Sequence, residues 1–182
     1  MGRPKADLPF GPETLLERVI RLVSPDVDDI VLAAAPGQHL PHGFPVVTDS
    51  LADQGPLPAL VGALAHVRRD LAFVVACDTP LLQPGVAAVL VELCSDWDAA
   101  VPVIDGVEMT TCAVYRREAV LAAEKRREAS SVSSLRRLLS QLRTRRVEPE
   151  MLRSADPALL SFTPCNSPEE YQRALVLAGL AG

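Results

Sequence analysis

Leu71 to Ala76 is an unbroken apolar run that stops abruptly at Cys77-Asp78-Thr79-Pro80. A run that short and that apolar predicts a strand buried on both faces of a parallel sheet. In open α/β sheets, ligands gather just beyond the carboxyl ends of the strands. Asp78 therefore falls where a carboxylate meets a ligand. Magnesium is typically held by one or two such carboxylates, with substrate phosphates completing its octahedron. The same residues also fit a plain turn, with Thr79-Pro80 setting the bend and Asp78 capping it. The motif by itself leaves both readings open.

The rest of the chain alternates in the same style. Helix spacing of apolar residues predicts a helix over Leu15 to Val23, and continuous apolar runs predict strands over Asp29 to Ala35 and Phe44 to Thr48. A helix is expected over Leu57 to Val67, and another over Pro84 to Leu93 with its proline at the start, where a missing N–H costs nothing. Ala99 to Ile104 and Cys112 to Tyr115 read as strands flanking an Asp105-Gly106 turn. Helices over Glu118 to Glu128 and Ser133 to Leu142 follow, then strands around Arg145 to Val147 and Leu159 to Thr163. Ser167-Pro168-Glu169-Glu170 is a capping box that opens the last helix. Strands alternating with helices at this spacing predict an α/β fold with a mostly parallel sheet.

Composition narrows the function. At 182 residues and 48% hydrophobic, the chain is long and apolar enough for one domain with a substantial core. Aromatic residues make up 4%, too few for a base-stacking platform, and the net charge of −5 disfavours non-specific nucleic-acid binding. Cys77, Cys94, Cys112 and Cys165 show no CxxC spacing and read as reduced core thiols of a cytoplasmic protein. His39 and His42 lie in a Pro/Gly-rich loop and His66 stands apart, so no histidine metal cluster is expected. No stretch reaches the length of a membrane span.

Besides Cys77-Asp78-Thr79-Pro80, two segments suit phosphate chemistry. Met1-Gly2-Arg3-Pro4-Lys5 joins a flexible backbone to an ammonium, and Asp49-Ser50 through Gly55-Pro56-Leu57 leads from a strand end into a helix N-terminus. Each has a bland reading, a surface lysine and a capping loop respectively. Together and in this order they resemble the molybdenum-cofactor guanylyltransferases of the MobA-like nucleotidyltransferase superfamily. Met1-Gly2-x-x-Lys5, Asp49-Ser50…Gly55-Pro56-Leu57 and Cys77-Asp78-Thr79-Pro80 match its motifs, and Asn166-Ser167-Pro168-Glu169-Glu170 echoes its closing one.

The resemblance implies a three-layer Rossmann-like nucleotidyltransferase fold across residues 1–182 as a single domain. It implies magnesium-dependent transfer of GMP from GTP to the molybdopterin cofactor with loss of pyrophosphate. Lys5 would neutralise the triphosphate, Asp78 would bind the metal, and Asp49 would serve the guanosine or a metal-bound water. Gly55 would let the backbone approach the nucleotide. Gly55-Pro56-Leu57 favours GTP over the CTP of the related cytidylyltransferases.

The sequence also departs from the pattern. The family's opening strand and Leu-Ala-Gly-Gly loop precede the point where this sequence starts, so the expectation is a native start upstream of Met1 and, without it, an apolar slot in the sheet. The alternative is a non-catalytic relative that binds molybdopterin or a partner protein. Ala33-Ala34-Ala35, Met109-Thr110 and Pro164 stand where the family often has asparagine, His-Pro and asparagine, which bears on guanine and pterin selection. Eleven of the 18 Lys and Arg residues fall between Arg116 and Arg153. They fit either a solvated helical face or a dock for an anionic pterin phosphate or acidic partner.

Overall fold

The computed structural model describes residues 4–48, 56–126 and 134–180. The chain opens with a hairpin of β1 (Pro9–Phe10) and β2 (Glu13–Thr14), then α1 (Leu15–Val23), β3 (Leu32–Ala34), β4 (Val46–Thr48) and α2 (Pro56–His66). It continues through β5 (Leu71–Val75), α3 (Val86–Leu93), β6 (Ala99–Ile104), β7 (Val107–Glu108), β8 (Cys112–Arg116) and α4 (Arg117–Lys125). α5 (Leu135–Leu139), β9 (Thr144–Val147) and α6 (Pro168–Leu177) complete it.

Three layers form around the main sheet, whose order is β5-β8-β6 with β9 on the far edge of β6. Successive residues face opposite sides of a strand. Cys112 and Val114 of β8 enter a core with Val19 and Val23 of α1 and Val86 and Leu90 of α3, whereas Ala113 and Tyr115 enter a second core with α2, α4 and α5. The expected α/β architecture holds, but the sheet is mixed rather than mostly parallel. β3–β4 and β6–β9 run parallel, while β5–β8, β6–β8 and β6–β7 run antiparallel. The cause is local. Asp105 and Gly106 both take positive φ (51° and 77°), which turns the chain back on itself and sends β8 antiparallel between β5 and β6.

β5 behaves as a strand between two cores. Leu71, Phe73 and Val75 pack with α1 and α3, and Ala72 and Val74 with α2. All five residues are nonetheless only half-buried. Among the described residues β5 pairs with β8 alone, and β3 pairs with β4 alone, so each has one edge with no strand beside it among those residues. α2 packs against β3 and β4 and shares a core with β5, which ties the two sheets together through a helix.

Element boundaries follow local chemistry. Thr14 and Glu17 form a capping box at α1, and Ser167 and Glu170 form the predicted one at α6, with Pro168 in the first turn. α3 starts later than expected: Gly85, at φ 85°, is its N-cap, so Pro84 lies before the helix. The strand expected over Leu159 to Thr163 is instead a 3₁₀ turn, Leu160–Phe162. The buried Asp156 carboxylate accepts the Leu160 and Ser161 N–H groups at 2.9 and 2.8 Å and curls the backbone around itself.

Five arginines of the C-terminal third make structural contacts. Arg116 donates to the carbonyls of Cys94, Ser95 and Trp97 just beyond α3, Arg117 to that of Leu64 in α2, and Arg145 to that of Leu93. Cationic donors suit helix C-termini, where carbonyls are left without partners. Arg146 pairs with Glu108, and Arg143 stacks on Trp97 with its guanidinium carbon 5.8 Å from the ring centre.

Candidate active site

Asp78 follows β5 in a turn that its neighbours hold. The Thr79 hydroxyl donates to the Ala76 carbonyl, the Leu82 N–H to Thr79 at 3.2 Å, and Arg18 Nε to the Pro80 carbonyl at 2.6 Å. Thr79 thus closes the turn, which leaves the Asp78 carboxylate to face Lys5. Lys5 Nζ lies 3.3 Å from Asp78 Oδ2, and both side chains are partly exposed, at 38% and 26%. Two residues 73 positions apart, singled out separately, therefore meet at the carboxyl end of β5. Asp49 lies outside the described residues, as do Ser50 and Gly55.

A small third core brings Lys5 there. Lys5 begins a 3₁₀ turn (Lys5–Asp7) whose continuation is the β1–β2 hairpin. Phe10 of that hairpin is fully buried with Leu15, Leu81, Cys165 and Ala174. It meets Tyr171 of α6 edge-on at 6.1 Å, and the Tyr171 hydroxyl donates to the Pro9 carbonyl. The hairpin turn needs Gly11: its φ is 68°, and an added Cβ would lie 3.0 Å from the Leu180 side chain.

The sequence reading gave Asn166 no role, but the structure places it at Lys5. Lys5 Nζ donates to Asn166 Oδ1, so the ammonium is shared between one carboxylate and one amide. The signal in the sequence was its place at the head of the Asn166-Ser167-Pro168-Glu169-Glu170 motif, directly before the capping box of α6.

Two cysteines flank this cluster. Burial pushes the Cys77 thiol up to about 11, with the neighbouring Asp78 charge adding to the rise and Lys5 opposing it. Cys165 is raised as well, again chiefly by burial. All four cysteines are free. His39 and His42 are exposed in the loop between β3 and β4. Among the described residues no group of three or more His, Cys, Asp or Glu side chains gathers as a metal site. The Asp78 carboxylate beside Lys5 fits magnesium, which takes few protein oxygens when phosphates supply the rest.

A separate cavity lies elsewhere. It measures about 440 Å³ and is lined by Ile30, Val31, Phe44, Pro45, His66 and Arg68 among others. These residues precede β3, β4 and β5, at the opposite strand ends from Asp78.

Residues 1–147 match the model of the MobA-like NTP transferase domain, and the chain belongs to that family. It is 30% identical over 176 residues to the molybdenum cofactor guanylyltransferase of Desulfosudis oleivorans, covering 95% of this chain and 86% of that protein. It is 29% identical over 123 residues to the probable molybdenum cofactor guanylyltransferase of Clostridium perfringens, covering 68% of this chain but only 62% of that one. The chain thus spans less than two thirds of the latter relative. The fold matches the crystal structure of molybdopterin-guanine dinucleotide biosynthesis protein A from Archaeoglobus fulgidus, with TM-score 0.81, 22% identity and coverage of 99% and 93% of the two chains. Among the described residues no helix is long and apolar enough to cross a membrane.

Proposed function

We propose that this chain is a nucleotidyltransferase that moves GMP from GTP onto the terminal phosphate of molybdopterin, acting as one domain over residues 1–182. The observation that carries the reading is the Lys5–Asp78 pair, 3.3 Å apart beyond the carboxyl end of β5. In the reaction, a phosphate oxygen of the acceptor forms a bond to the α-phosphorus of GTP. The bond from that phosphorus to the bridging oxygen breaks, and pyrophosphate leaves with the electron pair.

Lys5 carries a compact charge with three donors and stabilises the negative charge that builds on the triphosphate. Asp78 would hold magnesium, and Asp49 would serve the guanosine or a metal-bound water on the nucleotide side. The ion supplies neutralisation and orientation of the phosphates when bound. The chain's work is otherwise positioning, and no covalent intermediate is needed. Cys77 fits that role: with its thiol raised to about 11 it stays protonated near neutral pH and is a poor nucleophile. Its free thiols suit a reducing, cytoplasmic setting.

The test is turnover by the full chain with magnesium, molybdopterin and either GTP or CTP, read as pyrophosphate release and dinucleotide formation. Faster turnover with GTP, abolished by chelation, is the expected result. Preference for CTP would move the enzyme to the cytidylyl class. Absence of any nucleotide binding would favour the non-catalytic reading, in which the chain carries molybdopterin or binds a partner.

A further inference from the structure

We propose that Arg18 is a positioning residue, which sets the spacing of Lys5 and Asp78 by tying together the two segments that carry them. This rests on the nucleotidyl-transfer reading above. Lys5 and Asp78 come from distant parts of the chain, and both side chains are partly exposed. An exposed ion pair contributes little, so their own contact does not fix their separation. Arg18 of α1 is less exposed, at 16%, and reaches both segments.

The guanidinium makes three contacts. Its Nε donates to the Pro80 carbonyl at 2.6 Å, two residues beyond Asp78. Its Nη1 donates to Glu13 Oε1 at 3.2 Å, and its carbon lies 4.8 Å from the centre of the Phe10 ring. Phe10 and Glu13 face each other across the β1–β2 hairpin, which follows directly from the 3₁₀ turn that begins at Lys5. The backbone joins the same parts: the Leu15 N–H of α1 donates to Leu8 at 2.9 Å, and the Leu8 N–H donates to Lys5 at 3.0 Å. One side chain thus holds the Asp78 turn on one side and the Lys5 hairpin on the other.

An arginine suits this place for a definite reason. Its donors are fixed in a planar fork, so a carbonyl and a carboxylate bound to it keep set positions relative to each other, while its face stacks on a ring. A lysine offers one compact ammonium on a flexible stem and imposes no such angle. Pro80 is buried, so removing Arg18 takes away a donor that water does not readily replace. The turn is then free to re-aim Asp78, and a misplacement of about 1 Å costs up to about 100-fold in rate. Arg21 is the natural control. It donates to the same Glu13, at 2.6 and 3.0 Å, but is 57% exposed and touches neither Pro80 nor Phe10.

Turnover by full-length variants tests the assignment. Arg18→Ala and Arg18→Lys should both lower kcat by about 10- to 100-fold, with the KM for GTP little changed, whereas Arg21→Ala should keep the wild-type kcat. Arg18→Lys retains the charge beside Glu13 and carries the test if the alanine variant fails to fold. Added guanidinium ion should restore part of the loss in Arg18→Ala and none in Asp78→Ala, a response that a general loss of stability does not give. Wild-type kcat in either Arg18 variant, or an equal loss in Arg21→Ala, overturns the proposal. A second readout needs no turnover. Amide hydrogen exchange in the Arg18 variants should quicken at Leu82, whose N–H donates to Thr79, and at Leu8. Unchanged exchange at both amides overturns the tie. Protection of both in a wild-type chain that transfers no nucleotide counts against the nucleotidyl-transfer reading alone.

Discussion

Asp156 lies directly beneath Ser161: its carboxylate takes the Ser161 N–H at 2.8 Å, while Ser161 Oγ accepts the Gln83 N–H at 2.9 Å. A buried carboxylate thereby links the 3₁₀ turn Leu160–Phe162 to the segment that follows Asp78. Removing it would leave the buried Ser161 N–H and the part-buried Leu160 N–H without their acceptor. Asp156→Ala should destabilise the protein by about 3 kcal/mol, read from the midpoint of urea unfolding.

Asp78→Ala should abolish turnover while leaving the melting temperature within a few degrees, since the side chain is partly exposed and Thr79 holds the turn. Retained GTP turnover in this variant would sink the metal assignment. Lys5→Ala should also lose activity, by about 10²-fold or more. Supplying excess magnesium should not restore it.

Acid sensitivity should have an identifiable component at Glu13. Hydrogen bonds and charge from Arg21, then Arg18, hold its carboxyl below the usual value of 4.5. A depressed carboxylate stabilises the folded state fully above its unfolded pKa. That contribution fades as pH falls from 4.5 through the lower folded value. Glu13→Gln should be less stable than wild type at pH 7, and the gap should narrow as pH falls below 4.5; denaturant titrations on either side of that value measure it.

The thiols should be slow to alkylate. Burial raises Cys77 and Cys94 to about 11 and Cys112 to about 12, so little thiolate exists at pH 7.5. Cys77, the only one of the four not fully buried, should label first with iodoacetamide. Modification there should stop GTP turnover because the adduct sits beside Asp78. In denaturant all four should react at once.

Much of this was legible in the sequence because it rests on local chemistry. The helix spacing of α1, the α6 capping box, the Asp105-Gly106 turn and the strand before Asp78 each carry their signal within a few residues. Lys5 and Asp78 were found separately, and their contact needed the fold. The mixed sheet was hidden because apolar runs do not reveal which way a neighbour runs. The false strand at Leu159 to Thr163 failed for a similar reason: an apolar stretch hides a turn organised by a carboxylate three residues before it. Asn166 was visible as the head of the closing motif, but its contact with Lys5 was not, because the two are 161 residues apart.

The half-paired state of β5 has a bearing on how the protein behaves in a concentrated solution. Leu71–Val75 contains neither charge nor proline, and one of its edges meets no strand among the described residues. Unpaired, uncharged edges are templates for the backbone of another chain. The net charge of −5 repels neighbours at a distance but is screened beyond about 8 Å at physiological salt. Once two molecules touch, the attraction is local and indifferent to that charge. Added salt should therefore shorten the protein's lifetime as a monodisperse solution, with growth starting from the same strand that carries Asp78 to its place.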